Sequence, residues 1–423
     1  MYSTPFILSL LIILQLLLGS SSANAESVRG KPFDSHALAI YPELLEVRRD
    51  LFDNPESSGN EERTARVVAN YLKNLGLEVK TNIGGHGVVG VLKGGKPGKH
   101  ILWRADMDAA TFRMGSHAHR DLSHICGHDI NTTIALGIAN ILSQDVDNLA
   151  GTVVFLFQPA EESQQGAKAM IADGLFEMLA VDEVYASHVG PSATGVISTK
   201  AGNLFSHSRY LEIELNGTAA AEQVASDIHQ IMNGLTRVSK PDLFFDLNNA
   251  MSLEHGMANP NTIYQDYVFF AGPPQVLTKN DRTVLFAELY TANTDDIDAT
   301  VSALQKKLAK SEYKNRVQAV RVSHVREGVD NDARLVDQAK KLLIESFGDH
   351  VLETYYGQVP FASEDFGHFQ KSAPGVYFFI GASNAEKGIV AFPHMPNFDV
   401  DEEVIHYGVA RFATLIKSRL SSD

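Results

Sequence analysis

Thr152-Val153-Val154-Phe155-Leu156-Phe157 runs without a break into Gln158-Pro159-Ala160-Glu161-Glu162. A run with no polar–apolar alternation describes a strand that shows water neither face, and such strands lie inside sheets covered by helices on both sides. The paired glutamates stand just past its carboxyl end, where open α/β sheets carry their sites. Three other short apolar runs are followed by polar residues in the same way. Residues 100–103 lead to Asp106 and Asp108, residues 183–186 lead to His188, and residues 375–380 precede Phe392-Pro393-His394-Met395-Pro396-Asn397-Phe398.

Working outward, helical periodicity covers residues 36–53 (Leu38, Tyr41, Leu44, Leu45, Leu51) and 61–75 (Ala65, Val68, Ala69, Leu72). It recurs over 129–143, 164–172, 334–347 and 401–419, with further short strands at 77–80 and 87–92. Strands alternating with helices predict an α/β catalytic domain whose mostly parallel sheet is covered by helices. The middle of the chain differs. Residues 209–215 alternate strictly, so one face is wet, and a helix follows over 221–235. Strands are expected near 243–248, 262–270 and 283–290, and a helix over 295–310 capped by Thr294. That β-α-β-β-α-β order spells an inserted ferredoxin-like α+β lid domain. The division is residues 1–25 as a signal peptide, 26–205 and 323–423 as the catalytic domain, and 206–322 as the insertion.

The 36 Lys and Arg against 51 Asp and Glu leave a net charge of −15, which excludes nucleic acid and anionic membranes as partners. Residues 6–18 form one apolar run, followed by Ala23-Asn24-Ala25. This reads as a signal peptide with its cleavage site, although no Lys or Arg precedes it; the alternative is an uncleaved anchor. Export to a bacterial periplasm or the medium is expected, with no membrane contact after cleavage. There, the single cysteine can form no internal disulfide and is either buried or ligated to a metal.

That cysteine lies in His124-Ile125-Cys126-Gly127-His128-Asp129. A thiolate and an imidazole two positions apart suit zinc or a similar divalent ion. Alone, each candidate has a plainer reading. Cys126 would be a small buried hydrophobe, Glu161 and Glu162 a solvated acidic loop, His188 and His394 core histidines, and Asp106 and Asp108 turn residues. Adjacent carboxylates repel one another unless a cation lies beside them. One of the pair as ligand and the other as general base on an activated water is the natural division. Their joint placement at strand ends points to a metal-dependent hydrolase.

Taken together, these segments resemble the M20 family of metallopeptidases, in its amidohydrolase branch of hippurate hydrolases, N-acyl-amino-acid amidohydrolases and auxin-conjugate hydrolases. The resemblance is carried by Arg104-Ala105-Asp106-Met107-Asp108-Ala109, His124 to Asp129, Phe157 to Glu162, Gly166-Ala167-Lys168, His188-Val189-Gly190-Pro191, Glu364-Asp365-Phe366 and His394 with Asp399 to Glu403. It implies metal ligands at Cys126, His128, Glu162, His188 and His394, and Glu161 as catalytic base. It implies two divalent ions per chain, zinc or manganese, and a homodimer formed through the lid. Asp106, Asp108, Asp129 and Asn261 would orient ligands or meet the substrate, a small N-acyl amino acid or a dipeptide. The chain departs from the family pattern at Asn131, where the branch has histidine, and at Phe52 and Asn54. It also departs at Ala110-Thr111-Phe112-Arg113, at Tyr264 in place of the proline after Asn261-Thr262-Ile263, and in Asn216-Gly217-Thr218-Ala219-Ala220, which lacks the family's lid histidine. The alternative is therefore a weakened or inactive homologue that binds metal and ligand without turnover. A structural zinc protein leaves the adjacent glutamates unexplained. Asn131 and Asn216 begin glycosylation sequons; a glycan at Asn131 would sit on the metal site, which favours the bacterial route.

Overall fold

The computed structural model describes residues 33–111, 122–326 and 328–421. The apolar N-terminal run read as a signal peptide lies outside the described residues, as do Phe112 and Arg113. The main elements open with α1 (Asp34–Asp53), α2 (Glu62–Asn74), β1 (Glu78–Ile83), β2 (Gly87–Lys93), β3 (Lys96–Asp106) and α3 (His128–Ser143). They continue with β4 (Ala150–Gln158), α4 (Gly166–Ala172), β5 (Glu183–Ala193), β6 (Ile197–Thr199), β7 (His207–Asn216) and α5 (Ala221–Asn233). Next come β8 (Val268–Phe270), β9 (Gln275–Lys279), β10 (Arg282–Thr291), α6 (Asp295–Leu308) and β11 (Val317–Arg326). The chain ends with α7 (Ala333–Phe347), β12 (Leu352–Thr354), β13 (Gly375–Ser383) and α8 (Val404–Leu420).

The large sheet has eight strands in the order β1-β2-β4-β3-β5-β13-β6-β12. Its four central strands, β4-β3-β5-β13, are mutually parallel, while β1-β2, β2-β4 and β13-β6 pair antiparallel. The sheet is thus mixed, and the expected parallel arrangement holds for its centre. There the crossovers through α3 and α4 force it, because parallel neighbours need a long return path. Both faces of β4 are buried. Val153, Phe155 and Phe157 pack under α1, α3 and α8 with Trp103 and Phe412, whereas Val154 and Leu156 face Met170 and Tyr377 on the other side. A strand between two apolar layers needs no alternation, which is why the opening stretch reads as it does.

A second sheet, β8-β10-β7-β11 with β9 also on β10, is antiparallel throughout. Helices α5 and α6 cover one face, so Leu211, Ile213 and Leu215 of β7 are buried with Ile228, Leu304 and Leu308. The intervening Tyr210, Glu212 and Glu214 are part-exposed, which is the wet face the alternation predicts.

Four expectations need correction. Residues 243–248 form no strand: Pro241–Phe244 is a short helix, followed by a 3-10 turn over Leu247–Met251. Pro241 sits in the first turn of that helix, where a missing N–H costs nothing. Of 262–270 only Val268–Phe270 is strand, and the next strand of the sheet is Gln275–Lys279. The apolar residues that mimicked a strand, Phe244, Tyr264 and Tyr267, pack instead in an aromatic cluster with Phe269. Thr294 is itself helical and makes no side-chain cap. The expected boundary at 322 falls inside β11, which continues to Arg326. Among the described residues no helix is long and apolar enough to cross a membrane.

Candidate metal centre

The centre forms where β3, β4 and β5 end and α3 begins. Gly127 caps α3 with φ +87°, and a Cβ there would lie 2.3 Å from Val189 Cγ2. Only glycine lets this turn press against β5. Cys126 Sγ thereby comes 3.4 Å from His188 Nε2. His188 donates its Nδ1 proton to the Val189 carbonyl at 2.8 Å, so the Nε2 lone pair is left to face the thiol. His128, the first residue of α3, is fully buried; its Nδ1 lies 3.2 Å from Asp108 Oδ1 and its Nε2 lies 3.8 Å from Glu161 Oε2. His394 arrives on a residue with φ +59°, held by its N–H to the Ile125 carbonyl, and places Nε2 3.2 Å from Glu162 Oε1.

Two sets of three ligand atoms lie within 4.8 Å of one another: Cys126, His128 and His188, and Cys126, Glu162 and His394. Asp108, His128 and Glu161 form a third such set. His128 Nε2 is buried and has no hydrogen-bond partner in the described structure, and Glu162 Oε1 faces only the His394 ring. An orphaned imidazole nitrogen beside a thiol and a buried carboxylate is the donor set a zinc-like ion takes. The residues present fit a divalent metal. The buried group Glu161, Glu364 and Asp365 has another explanation, since Arg104 Nη2 lies 2.9 Å from Glu364 and 3.4 Å from Asp365.

The electrostatics point the same way. Burial pushes the Cys126 thiol well above its usual range, and Glu162 and Glu161 push it further. Burial also raises Glu161 well above the usual carboxylate range, followed by Glu364 and Glu162. Burial alone would lower the His128 imidazole, but Asp106 and Asp108 outweigh it and hold the group up to about 10. Each shift reports too much negative charge in too little water.

The expected residues divide clearly by position. Cys126, His128, Glu161, Glu162, His188 and His394 meet at one place. Asp108 stands behind them, accepting from Ser58 Oγ at 2.6 Å and from the Glu162 N–H at 2.9 Å. Asp106 is fully buried between Arg104 at 2.5 Å and Asn131 Nδ2 at 2.7 Å. Asp129 points away, in an ion pair with Arg48 at 2.8 Å. Asn261 is exposed on the insertion and lines no part of the cleft. Asn131 is buried, and its carbonyl accepts the Val189 N–H at 3.0 Å. Its amide is therefore spent on joining α3 to β3 and β5, and the reason for favouring a bacterial source disappears with its sequon.

Sequence reasoning assigned no role to the group behind the glutamates. Arg104, wholly buried, donates Nε to Gln158 at 2.9 Å, and Gln158 donates to Asp365 at 2.7 Å. Tyr377 OH reaches Glu364 at 2.7 Å. An arginine inside an otherwise apolar strand was the signal available. In front of the centre opens a cleft of about 530 Å³. Its walls carry Phe205, Met251, Met257, Phe361 and Phe379, and its floor carries Cys126, Glu161, Glu162 and His188.

Comparison with known proteins bears on the family of the whole chain. A family profile described as "Peptidase family M20/M25/M40" matches residues 102–418. A protein named thermostable carboxypeptidase 2, from Saccharolobus solfataricus, is 30% identical over 88% of this chain and 94% of its own length. The hippurate hydrolase of Campylobacter jejuni is 30% identical over 82% of this chain and 90% of its own. An Arabidopsis thaliana protein named IAA-amino acid hydrolase ILR1-like 4 is 28% identical, covering 88% of this chain and 84% of its own. Among solved structures, the Bacillus subtilis YXEP protein, described as a dinuclear metal binding peptidase from the M20 family, superposes with a TM-score of 0.70 at 23% identity. The match covers 90% of this chain and 99% of that one. Nothing among these findings favours the alternative of a homologue that binds without turnover.

Proposed function

The chain belongs to the M20/M25/M40 peptidase family, and from that membership we propose that it hydrolyses the amide bond of a small N-acyl amino acid or dipeptide, with two divalent ions and Glu161 as general base. That it is a hydrolytic, metal-dependent member of the family follows from the comparisons above. The observation that carries the finer reading is that two ligand sets share Cys126, with Glu161 Oε2 beside His128 at the floor of the cleft. Cys126, His128 and His188 would hold one ion, and Cys126, Glu162 and His394 the other. Zinc and manganese both suit these donors. When bound, the ions would acidify a water and polarise the substrate carbonyl.

The protein's own part is proton handling and positioning. Gln164 Nε2 donates to Glu161 Oε1 at 2.9 Å, which fixes the carboxylate and leaves Oε2 turned toward His128. Glu161 takes the proton of the attacking water and returns it to the leaving amine. Asp108 fixes the His128 ring through Nδ1, so that Nε2 faces the centre. The apolar walls exclude bulk water and receive the acyl or side-chain part of the substrate. Glu161→Gln should lower turnover by about 10²–10⁴-fold on a panel of N-acetyl, N-benzoyl and dipeptide substrates, with metal content by elemental analysis unchanged. Full activity in that variant would sink the assignment. We further propose export, on the N-terminal apolar run, and dimerisation through the insertion, on the family resemblance; sedimentation of the purified protein tests the latter.

A further inference from the structure

Glu61 is wholly buried, yet its own helix has no use for its carboxylate. It stands at the N-cap of α2 and makes no cap hydrogen bond. Glu56 does that work instead, accepting from the Arg63 and Thr64 N–H groups at 2.9 and 2.7 Å. The Glu61 side chain turns elsewhere. Its Oε1 accepts from the Gly59 N–H at 2.9 Å and from the Ala160 N–H at 2.7 Å, while Oε2 has no partner in the described structure. Burying a carboxyl group with one oxygen unsatisfied is costly, so the contact with Ala160 calls for an explanation. Ala160 lies between the end of β4 and Glu161 and holds φ at +53°, where a residue with a Cβ is strained. On the other side of Glu161, the Glu162 N–H donates to Asp108 at 2.9 Å, and Asp108 accepts from Ser58 Oγ at 2.6 Å. The amides flanking Glu161 are therefore both held by buried carboxylates. One comes from the loop between α1 and α2, and the other is steadied by a serine of that loop.

We infer that Glu61 is a positioning residue, which through the Ala160 N–H holds the turn that aims Glu161 at the metal centre. The inference rests on the hydrolase reading of Glu161. A strained turn persists only where its surroundings over-determine it. Gln164 fixes the Glu161 carboxylate, but it belongs to the same turn and moves with it. Contacts from other elements set the place of the turn, and Glu61 and Asp108 supply them at the peptide groups on either side of the base. Glu61 lines no part of the cleft, so it acts through Glu161 rather than on the substrate.

The test uses the metal-loaded enzyme, the N-acetyl, N-benzoyl and dipeptide panel, and three variants. Glu61→Leu removes the acceptor, Glu61→Asp withdraws it by one methylene, and Glu61→Gln keeps it in place. The first two should lower kcat by about 10²-fold, the cost of a reacting group displaced by an ångström. KM and metal content by elemental analysis should hold, and Glu61→Gln should recover most of the loss. On a Glu161→Gln background, Glu61→Leu should lower the residual turnover no further, because the two act as one unit. A crystal structure of metal-loaded Glu61→Leu, or of Glu61→Asp where the leucine variant does not fold, should show the 159–162 turn displaced. A merely structural glutamate would instead lower turnover with the folded fraction and multiply with Glu161→Gln. That result overturns the inference, as does a turn that superposes on wild type or a Glu61→Gln enzyme as slow as Glu61→Leu. A displaced turn in a protein whose wild type hydrolyses no compound of the panel would leave Glu61 assigned to the turn and overturn the hydrolase reading alone.

Discussion

The large sheet has a buried charge cluster at each end, and the two are built on opposite terms. At the amino end of β5, Glu183 accepts from Lys99 at 2.9 Å, from Arg419 Nε at 3.0 Å and from Tyr185 OH at 2.6 Å. One carboxylate there meets two cations and a hydroxyl, and its oxygens are filled. At the carboxyl end, the single cation Arg104 serves Asp106, Glu364 and Asp365. Asp108, Glu161, Glu162 and Cys126 crowd beside them, and among the described residues it is histidines that stand against these groups. The first cluster is complete within the polypeptide. The second is short of positive charge, and a fold tolerates such a deficit where a ligand makes it good.

The largest test of this contrast is to remove what completes the second cluster. Exhaustive chelation should abolish turnover and lower apparent stability, by about 3 kcal/mol relative to protein held at a hundredfold excess over the ion's Kd. Zinc or manganese should restore both. Unchanged thermal melting with and without chelator would break the comparison, since the carboxyl-end cluster would then be self-sufficient. Next in size are two arginine removals. Arg104→Met strands three buried carboxylates and should cost about 3–5 kcal/mol in urea unfolding. Arg419→Met leaves Glu183 with Lys99 and Tyr185 and should cost about 1–3 kcal/mol. Equal costs would mean that Arg104 is less essential to its cluster than its contacts imply.

The sheet centre was legible because β4 has no alternation and because polar residues recur just past strand ends. The strand ends marked Glu161, Glu162, His188 and His394, and the spacing of Cys126 and His128 marked those two as candidate ligands, while their separate roles came from the family resemblance. The insertion was less legible. Phe244, Tyr264 and Tyr267 have strand composition, yet they serve an aromatic cluster, and no local pattern separates those two uses of an aromatic side chain. Asp129 and Asn261 were expected near the site by adjacency or resemblance alone. Asp129 is drawn off by Arg48, and Asn261 lies on the exposed side of the insertion.

The smallest expected effect concerns pH, and it separates the clusters by sign. Burial alone would raise the Glu183 carboxyl, but the hydrogen bonds from Arg419, Tyr185 and Lys99 outweigh it and hold the group below its usual range. A carboxylate lowered on folding contributes stability that is fully present above the unfolded value, near 4.3 for glutamate. That contribution is lost as pH falls through the lowered folded value. Glu183→Gln should therefore destabilise the protein most at neutral pH, with the gap to wild type narrowing below about pH 4.3. Asp365 carries the opposite sign. Burial and then Glu364 raise it to about 7, against the pull of Arg104 and Gln158, so its favourable contribution is complete at low pH and is lost as pH rises toward 7. Urea denaturation of metal-free wild type, Glu183→Gln and Asp365→Asn across pH 3.5 to 7.5 resolves the two slopes. The Asp365→Asn protein should gain on wild type toward neutral pH, while Glu183→Gln falls behind. Parallel slopes in both variants would show that the two ends of the sheet are governed by one balance of charge, and that a surplus of carboxylates is no guide to which end binds the ion.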